Sequence, residues 1–187
     1  MSGADDLITA PARPGLTRTP RFRPTARCFV VNGAGRLLLF GCAISSTTAG
    51  GRTWFTPGGG VRLGESLPEA ASRELAEETG LRIPASALGP VIALDAGIWW
   101  AGEQPFFGVD SFFLVRVGTL TVTGTGREEA ERSALQEHRW WTAAELDETR
   151  DRVFPLCASG LLGRVLAGEL PAAPLHLTWR PHRTSPR

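Results

Sequence analysis

Three glutamates carry the strongest chemical signal in this 187-residue chain. Glu74, Glu77 and Glu78 sit in the run Arg73-Glu-Leu-Ala-Glu-Glu-Thr79. At helical spacing, residues three and four apart share a face, so Glu74 neighbours both of the others. Like charges placed that way repel by roughly a few tenths of a kcal/mol per pair. A chain that gathers them regardless has a cation to hold. For a lone Glu-x-x-Glu-Glu the competing reading is a solvated acidic face.

The segment that must position these groups reads as a helix starting near Ser66–Leu67. Ser66 suits an N-cap, Pro68 suits the first turn, and Glu69 sits where the helix dipole favours an anion. Leu67, Ala71 and Leu75 form a buried stripe at i, i+4 and i+8, with Glu74 and Glu78 about 100° around from it. Gly80 is placed to end the helix in a left-handed conformation.

The remaining chain supplies strands. Residues 1–24 are rich in Pro, Arg and Thr and read as a loose N-terminal arm. Arg27–Val31 and Arg36–Cys42 form a hairpin about Asn-Gly-Ala-Gly. Residues 43–52 read as a polar loop and 53–57 as a short aromatic strand. Residues 90–100 and 106–117 read as two long strands, and 118–136 as surface loop. A short strand follows at Glu137–Trp141, and Thr142 caps a helix over 143–148. Residues 155–170 have helical apolar spacing, and 171–187 read as an irregular tail. Strands and helices without regular βαβ alternation predict an α+β fold, a mixed sheet with helices on both sides, in one domain over 25–170.

Composition removes several chemistries. All 20 basic residues are Arg, and the chain has neither Lys nor Tyr. That excludes a Lys Schiff base, a Tyr general acid and a Walker-type phosphate loop. A formal net charge of +1 favours neither nucleic acid nor membrane partners. Cys28, Cys42 and Cys157 form no CxxC pair, and the expectation is three buried thiols. No apolar run is long enough to span a membrane, and the N-terminus lacks a secretory pattern, so the expected location is the cytoplasm.

Residues 59–81 resemble the signature of the Nudix hydrolase family. Its pattern is Gly, five residues, Glu, seven residues, then Arg-Glu-aliphatic-x-Glu-Glu-x-Gly-aliphatic. Gly59, Glu65, Arg73, Glu74, Leu75, Glu77, Glu78, Gly80 and Leu81 fill it without a departure. The resemblance covers about residues 25–168. It implies a loop–helix–loop motif in an α/β/α sandwich, and Mg2+- or Mn2+-dependent hydrolysis of a nucleoside diphosphate linked to another group. It also implies metal ligation by Glu74, Glu78, then Glu77, with the Gly59 backbone carbonyl added. Arg73 then braces the carboxylates through Glu77 or Glu65, and Glu65 is structural support. Phosphoryl chemistry asks mainly for positioning and charge stabilisation, so no covalent nucleophile is needed. The general base falls to a motif glutamate such as Glu74, or to a later one among Glu128, Glu129 and Glu137.

Substrate choice lies in loops. Arg52 is a candidate for phosphate or base, and Trp99 and Trp100 for stacking, against the simpler reading of sheet cover. Nucleoside triphosphates, dinucleoside polyphosphates and nucleotide sugars all stay open, as does a homodimer. Two other classes compete. A non-catalytic nucleotide sensor would need an added DNA-binding domain for which the chain has no room. An isoprenoid diphosphate isomerase would need a Cys–Glu pair that cannot be placed.

Overall fold

The computed structural model describes residues 18–42, 52–101, 104–123, 135–170 and 172–177; the side chains of Cys42, Trp100, Ala101, Leu135 and Gln136 lie outside that description. Among the described residues the framework is a nine-stranded mixed sheet, in the order β8 (Arg152–Phe154), β3 (Thr53–Phe55), β2 (Leu37–Cys42), β1 (Arg21–Asn32), β6 (Gln104–Val117), β5 (Val91–Ala101) and β9 (Leu175–Leu177), with β4 (Gly58–Gly60) paired to β1 and β7 (Leu135–Trp141) to β2. Strand β1 (Arg21–Asn32) lies at the centre. Ala26, Cys28 and Val30 face one side and Phe29 and Val31 the other, all buried. Such a run, apolar on both faces, can only sit where both faces are covered.

Strand β2 (Leu37–Cys42) returns antiparallel to β1, while β6 (Gln104–Val117) runs parallel to it from Arg21↔Phe106 to Asn32↔Val117. Beyond β6, strand β5 (Val91–Ala101) pairs antiparallel to it. Strands β3 (Thr53–Phe55), β4 (Gly58–Gly60) and β7 (Leu135–Trp141) complete the part near the motif.

Helix α1 (Leu67–Thr79) covers one face. Its Ala70, Ala71 and Leu75 pack with Ala26, Cys28, Val30 and Phe113. Small residues at 70 and 71 let the helix approach closely, and the Cys28 thiol donates to the Ala71 carbonyl at 3.5 Å. Helices α2 (Ala143–Glu148) and α3 (Ala158–Ala167) cover the other face, where Leu146, Leu161 and Val165 pack with Phe29, Leu39 and Trp141. The result is the α/β/α sandwich that the mixed pattern predicts.

Several places depart from the expectation, the short strand β4 among them. Strand β1 begins at Arg21, inside the segment read as a loose arm, because parallel pairing to β6 satisfies its backbone whatever its side chains. Strand β9 (Leu175–Leu177) lies in the tail read as irregular and pairs parallel to β5 at Ala93–Asp95. Strand β8 (Arg152–Phe154), parallel to β3, was not expected between the last helices. Cys28 is buried as expected, but Cys157 is exposed at the start of α3. Residues 1–17 and 178–187 lie outside the described residues.

Candidate active site on helix α1 and the glycine strand

Local chemistry fixes both ends of α1. The Ser66 hydroxyl accepts from the Glu69 N–H, and the Glu69 carboxylate accepts from the Ser66 N–H at 2.8 Å, a reciprocal capping box. At the other end Gly80 adopts φ 78° and its N–H donates to the Ala76 carbonyl at 3.0 Å. With its ends set, the helix presents a fixed side to strand β4.

Glu74 and Glu78 are only 8% and 6% exposed. Carboxylates that deep are costly unless something holds them. The Gly58 N–H donates to Glu78 Oε2 at 2.8 Å. Glu74 lies against Gly59, where an added Cβ would fall 2.6 Å from Oε1. Gly58 has φ 133°, and a Cβ there would meet the Ala26 carbonyl oxygen at 2.3 Å. Glycine at Gly58 is therefore a spatial requirement, since the clash is with fixed backbone, while a side chain at Gly59 would have to displace the Glu74 carboxylate.

Arg73 ties the carboxylates together from a part-buried position. Its Nε and Nη2 grip Glu65 at 2.8 and 2.9 Å. Nη1 donates to Glu74 Oε1 at 2.6 Å and to Glu77 Oε2 at 3.3 Å, while Nη2 also reaches the Gly60 carbonyl at 3.0 Å. The bidentate bond from Arg73 holds Glu65 down to about 2 against a smaller opposing effect of burial, and the Arg62 N–H adds to the lowering. The same bond to Glu65 raises the Arg73 guanidinium above its ordinary value. The Arg62 guanidinium approaches the other Glu77 oxygen at 3.6 Å. Both contacts open to Arg73 from the sequence, to Glu77 and across the loop to Glu65, are present, with Glu74 as a third.

Among the described residues, no three His, Cys, Asp or Glu side chains gather into a metal-holding group. A zinc-type cage of side chains is therefore not formed by them. A hard divalent ion asks for less: one or two carboxylates, a carbonyl, waters and substrate phosphate. Glu74 and Glu78 beside the bare backbone of Gly59 meet that demand, and the carboxylates here outnumber the guanidiniums they bind. Glu77 is drawn toward Arg73 and Arg62.

The other candidates stand elsewhere. Glu137 lies opposite Gly41 in the β2–β7 pairing and forms an ion pair with Arg52. A Cβ on Gly41 would lie 3.1 Å from Glu137 Cγ and 3.0 Å from the Trp54 ring, which belongs to the core under α2 and α3. Glu137 and Arg52 thus join each other on the sheet face away from α1. Asp151 anchors this corner, accepting from the Arg52 N–H at 3.1 Å and from Trp54 Nε1 at 2.9 Å. Trp99 stacks on Phe106 at 4.6 Å, with the Arg23 guanidinium 5.5 Å from its ring centre. The Trp100 side chain, Glu128 and Glu129 lie outside the described residues.

Sequence reasoning passed over an acidic pair. Asp95 on β5 stands opposite Asp110 on β6, and Asp95 is 3% exposed, with one carboxylate oxygen lacking a hydrogen bond. Burial foremost, then the charge of Asp110, pushes Asp95 up to about 6, against the Ala96 N–H. The available signal was an acid inside an otherwise apolar strand, Ile92-Ala-Leu-Asp-Ala-Gly97.

The sequence matches the family model of the NUDIX domain over residues 21–157. No curated protein matches it. Among solved structures, the crystal structure of a MutT protein from Methanosarcina mazei Go1 superposes with a TM-score of 0.56 at 19% identity, covering 81% of this chain and 98% of that one. A MutT Nudix hydrolase from Burkholderia pseudomallei gives 0.54 at 20%, covering 76% and 95%. An Ap4A hydrolase from C. elegans, solved as a binary complex, gives 0.52 at 19%, covering 78% and 98%. At such identities the structural likeness speaks for the fold alone.

Proposed function

The chain belongs to the Nudix hydrolase family and is a pyrophosphohydrolase of that family; on that premise we propose that it cleaves a pyrophosphate bond in a nucleoside diphosphate linked to another group, with Mg2+ or Mn2+. The observation that carries this reading is the burial of Glu74 and Glu78 against the glycine strand, with the Gly58 N–H bonded to Glu78 and the Glu74 carboxylate lying where a side chain on Gly59 would stand.

In this reading Glu74, Glu78 and the Gly59 carbonyl hold the ion, and Glu77 supports it from the half-buried side of the helix. A bound divalent ion would neutralise charge on the diphosphate and favour attack by water. Arg73 keeps three carboxylates apart at fixed spacing, since one planar guanidinium bonds Glu65, Glu74 and Glu77 at once. Glu65 anchors Arg73 and stays charged in nearly all conditions, which keeps the brace in place. Proton acceptance from the attacking water belongs to Glu74 in this reading; for Glu137 to serve, it would have to leave its ion pair with Arg52 on the face away from α1. Glu74→Gln and Glu137→Gln separate the two: the true base shows a lost limb in the pH–rate profile.

The triphosphate, dinucleoside polyphosphate and nucleotide-sugar classes are all admitted, and Arg52, Trp99 and Trp100 are the residues offered for their recognition. The deciding experiment is a nucleotide panel assayed with Mg2+ and with Mn2+, with phosphate and pyrophosphate release measured separately. Metal-dependent turnover of one class identifies the substrate. Tight nucleotide binding without any turnover would instead favour a sensor.

A further inference from the structure

Gly58 joins the two halves of the site, and it is gripped from the side away from α1. Arg27 and Gly58 are register partners in the β1–β4 pairing. The Arg27 Nη1 donates to the Gly58 carbonyl at 2.7 Å and to the Thr56 carbonyl at 3.3 Å. Between them, the Pro57 carbonyl accepts the Cys28 N–H at 2.8 Å. Three successive carbonyls are thus tied to two neighbouring residues of β1. On its other side, the same Gly58 donates its N–H to Glu78.

Arg27 is itself directed. Its Nε lies 3.9 Å from Asp110 Oδ1, an oxygen that also accepts the Thr25 hydroxyl. Asp110 stands opposite Thr25 on β1 and Asp95 on β5. A run of three glycines has more backbone freedom than any other tripeptide and no side chain to lock it. Its geometry must come from outside, and a guanidinium nitrogen that donates to two carbonyls of the turn at once can supply it.

We propose that Arg27, oriented by Asp110, is a positioning residue of the active site: it fixes the Thr56–Gly58 turn so that Glu78 and the Gly59 carbonyl keep the spacing a divalent cation needs. This rests on the metal-site reading above. It differs from a substrate-binding role, which would act on KM alone, and from a purely structural role, which would act on stability alone.

The test compares the full-length protein with Arg27→Met, Arg27→Lys and Asp110→Asn. Mn2+ binding without substrate is read by electron paramagnetic resonance, kcat and KM are measured on the best nucleotide of the panel, and melting curves establish folding. Supports of metal ligands typically cost about 10–100-fold when removed, so Arg27→Met is expected to weaken Mn2+ about tenfold or more and lower kcat, with KM nearly unchanged. Arg27→Lys, which keeps the charge and several donors but not the guanidinium that places Nη1 on both carbonyls and Nε toward Asp110, recovers part of the loss, and Asp110→Asn loses about threefold, the scale of one weakened charge-assisted bond. Should Arg27→Met fail to fold, the other two variants decide. Unchanged Mn2+ affinity in folded variants, or a rise in KM alone, overturns the proposal. If the unaltered protein neither binds Mn2+ nor cleaves any nucleotide, the metal-site reading falls and takes the proposal with it. An active, Mn2+-binding protein with indifferent variants removes the proposal only.

Discussion

At the scale of single residues, burial separates the motif glutamates. Glu78 is almost fully enclosed and keeps its place through the Gly58 N–H. Glutamine can still accept that bond but carries no charge. Glu78→Gln should therefore melt near the temperature of the unaltered protein while kcat falls by about two orders of magnitude or more, the scale of removing one preorganised electrostatic group. Equal turnover would remove Glu78 from the site. Gly59→Ala forces a methyl group to 2.6 Å from the Glu74 carboxylate. It should cost about 1–3 kcal/mol in stability, as overpacking does, and also reduce turnover. Gly60→Ala, whose new carbon comes no nearer than 3.6 Å to Arg23, should change neither. Urea unfolding and initial rates on the pair check the contrast.

At the scale of elements, α1 is legible because its signals are local. Ser66, Glu69 and Gly80 act on backbone groups within a few residues, so the helix ends where they stand. The same holds for Thr142, which caps α2 with Glu145 in a second capping box. Ser66→Ala should cost about 1 kcal/mol in urea unfolding, the usual loss for such a cap. A loss below a few tenths would show that packing of Ala70, Ala71 and Leu75 alone holds the helix start. Strands β4, β8 and β9 have three residues each. So short a strand exists only through its partner, and Gly-Gly-Gly or Leu-His-Leu carries no periodicity from which to read it.

At the scale of the whole molecule, pairing β5 with β6 sets Asp95 against Asp110 inside the sandwich. An acid raised from 3.8 to about 6 holds its proton more tightly folded than unfolded. Between those values the native state binds more protons, so its contribution to stability falls as pH rises and stays low above pH 6. Asp95→Asn should therefore melt progressively higher than the unaltered protein from pH 4 to pH 7, by at most roughly 3 kcal/mol at about 1.4 kcal/mol per unit. A gain that does not change with pH would sink this account. Glu65 acts in the opposite sense, since its lowered value adds stability above pH 4.5 that is lost as pH falls toward 2. No helix among the described residues is long and apolar enough to cross a membrane.

The sequence by itself determined the family, the motif helix with both its caps, and the alternation of strands that makes an α+β sandwich. These depend on spacing along the chain, and spacing can be read from residues in order. Tertiary structure decided that Glu74 and Glu78 are buried whereas Glu77 turns toward two arginines. It also placed Glu137 beside Arg52 on the face away from α1, and set Arg27 and Asp110 behind Gly58. Those facts arise from pairings between strands far apart in sequence, where register rather than residue type chooses the neighbour. Three glutamates on one helical face can be read from spacing; which two of them lie buried beside the glycine strand is decided only where that strand packs against the helix.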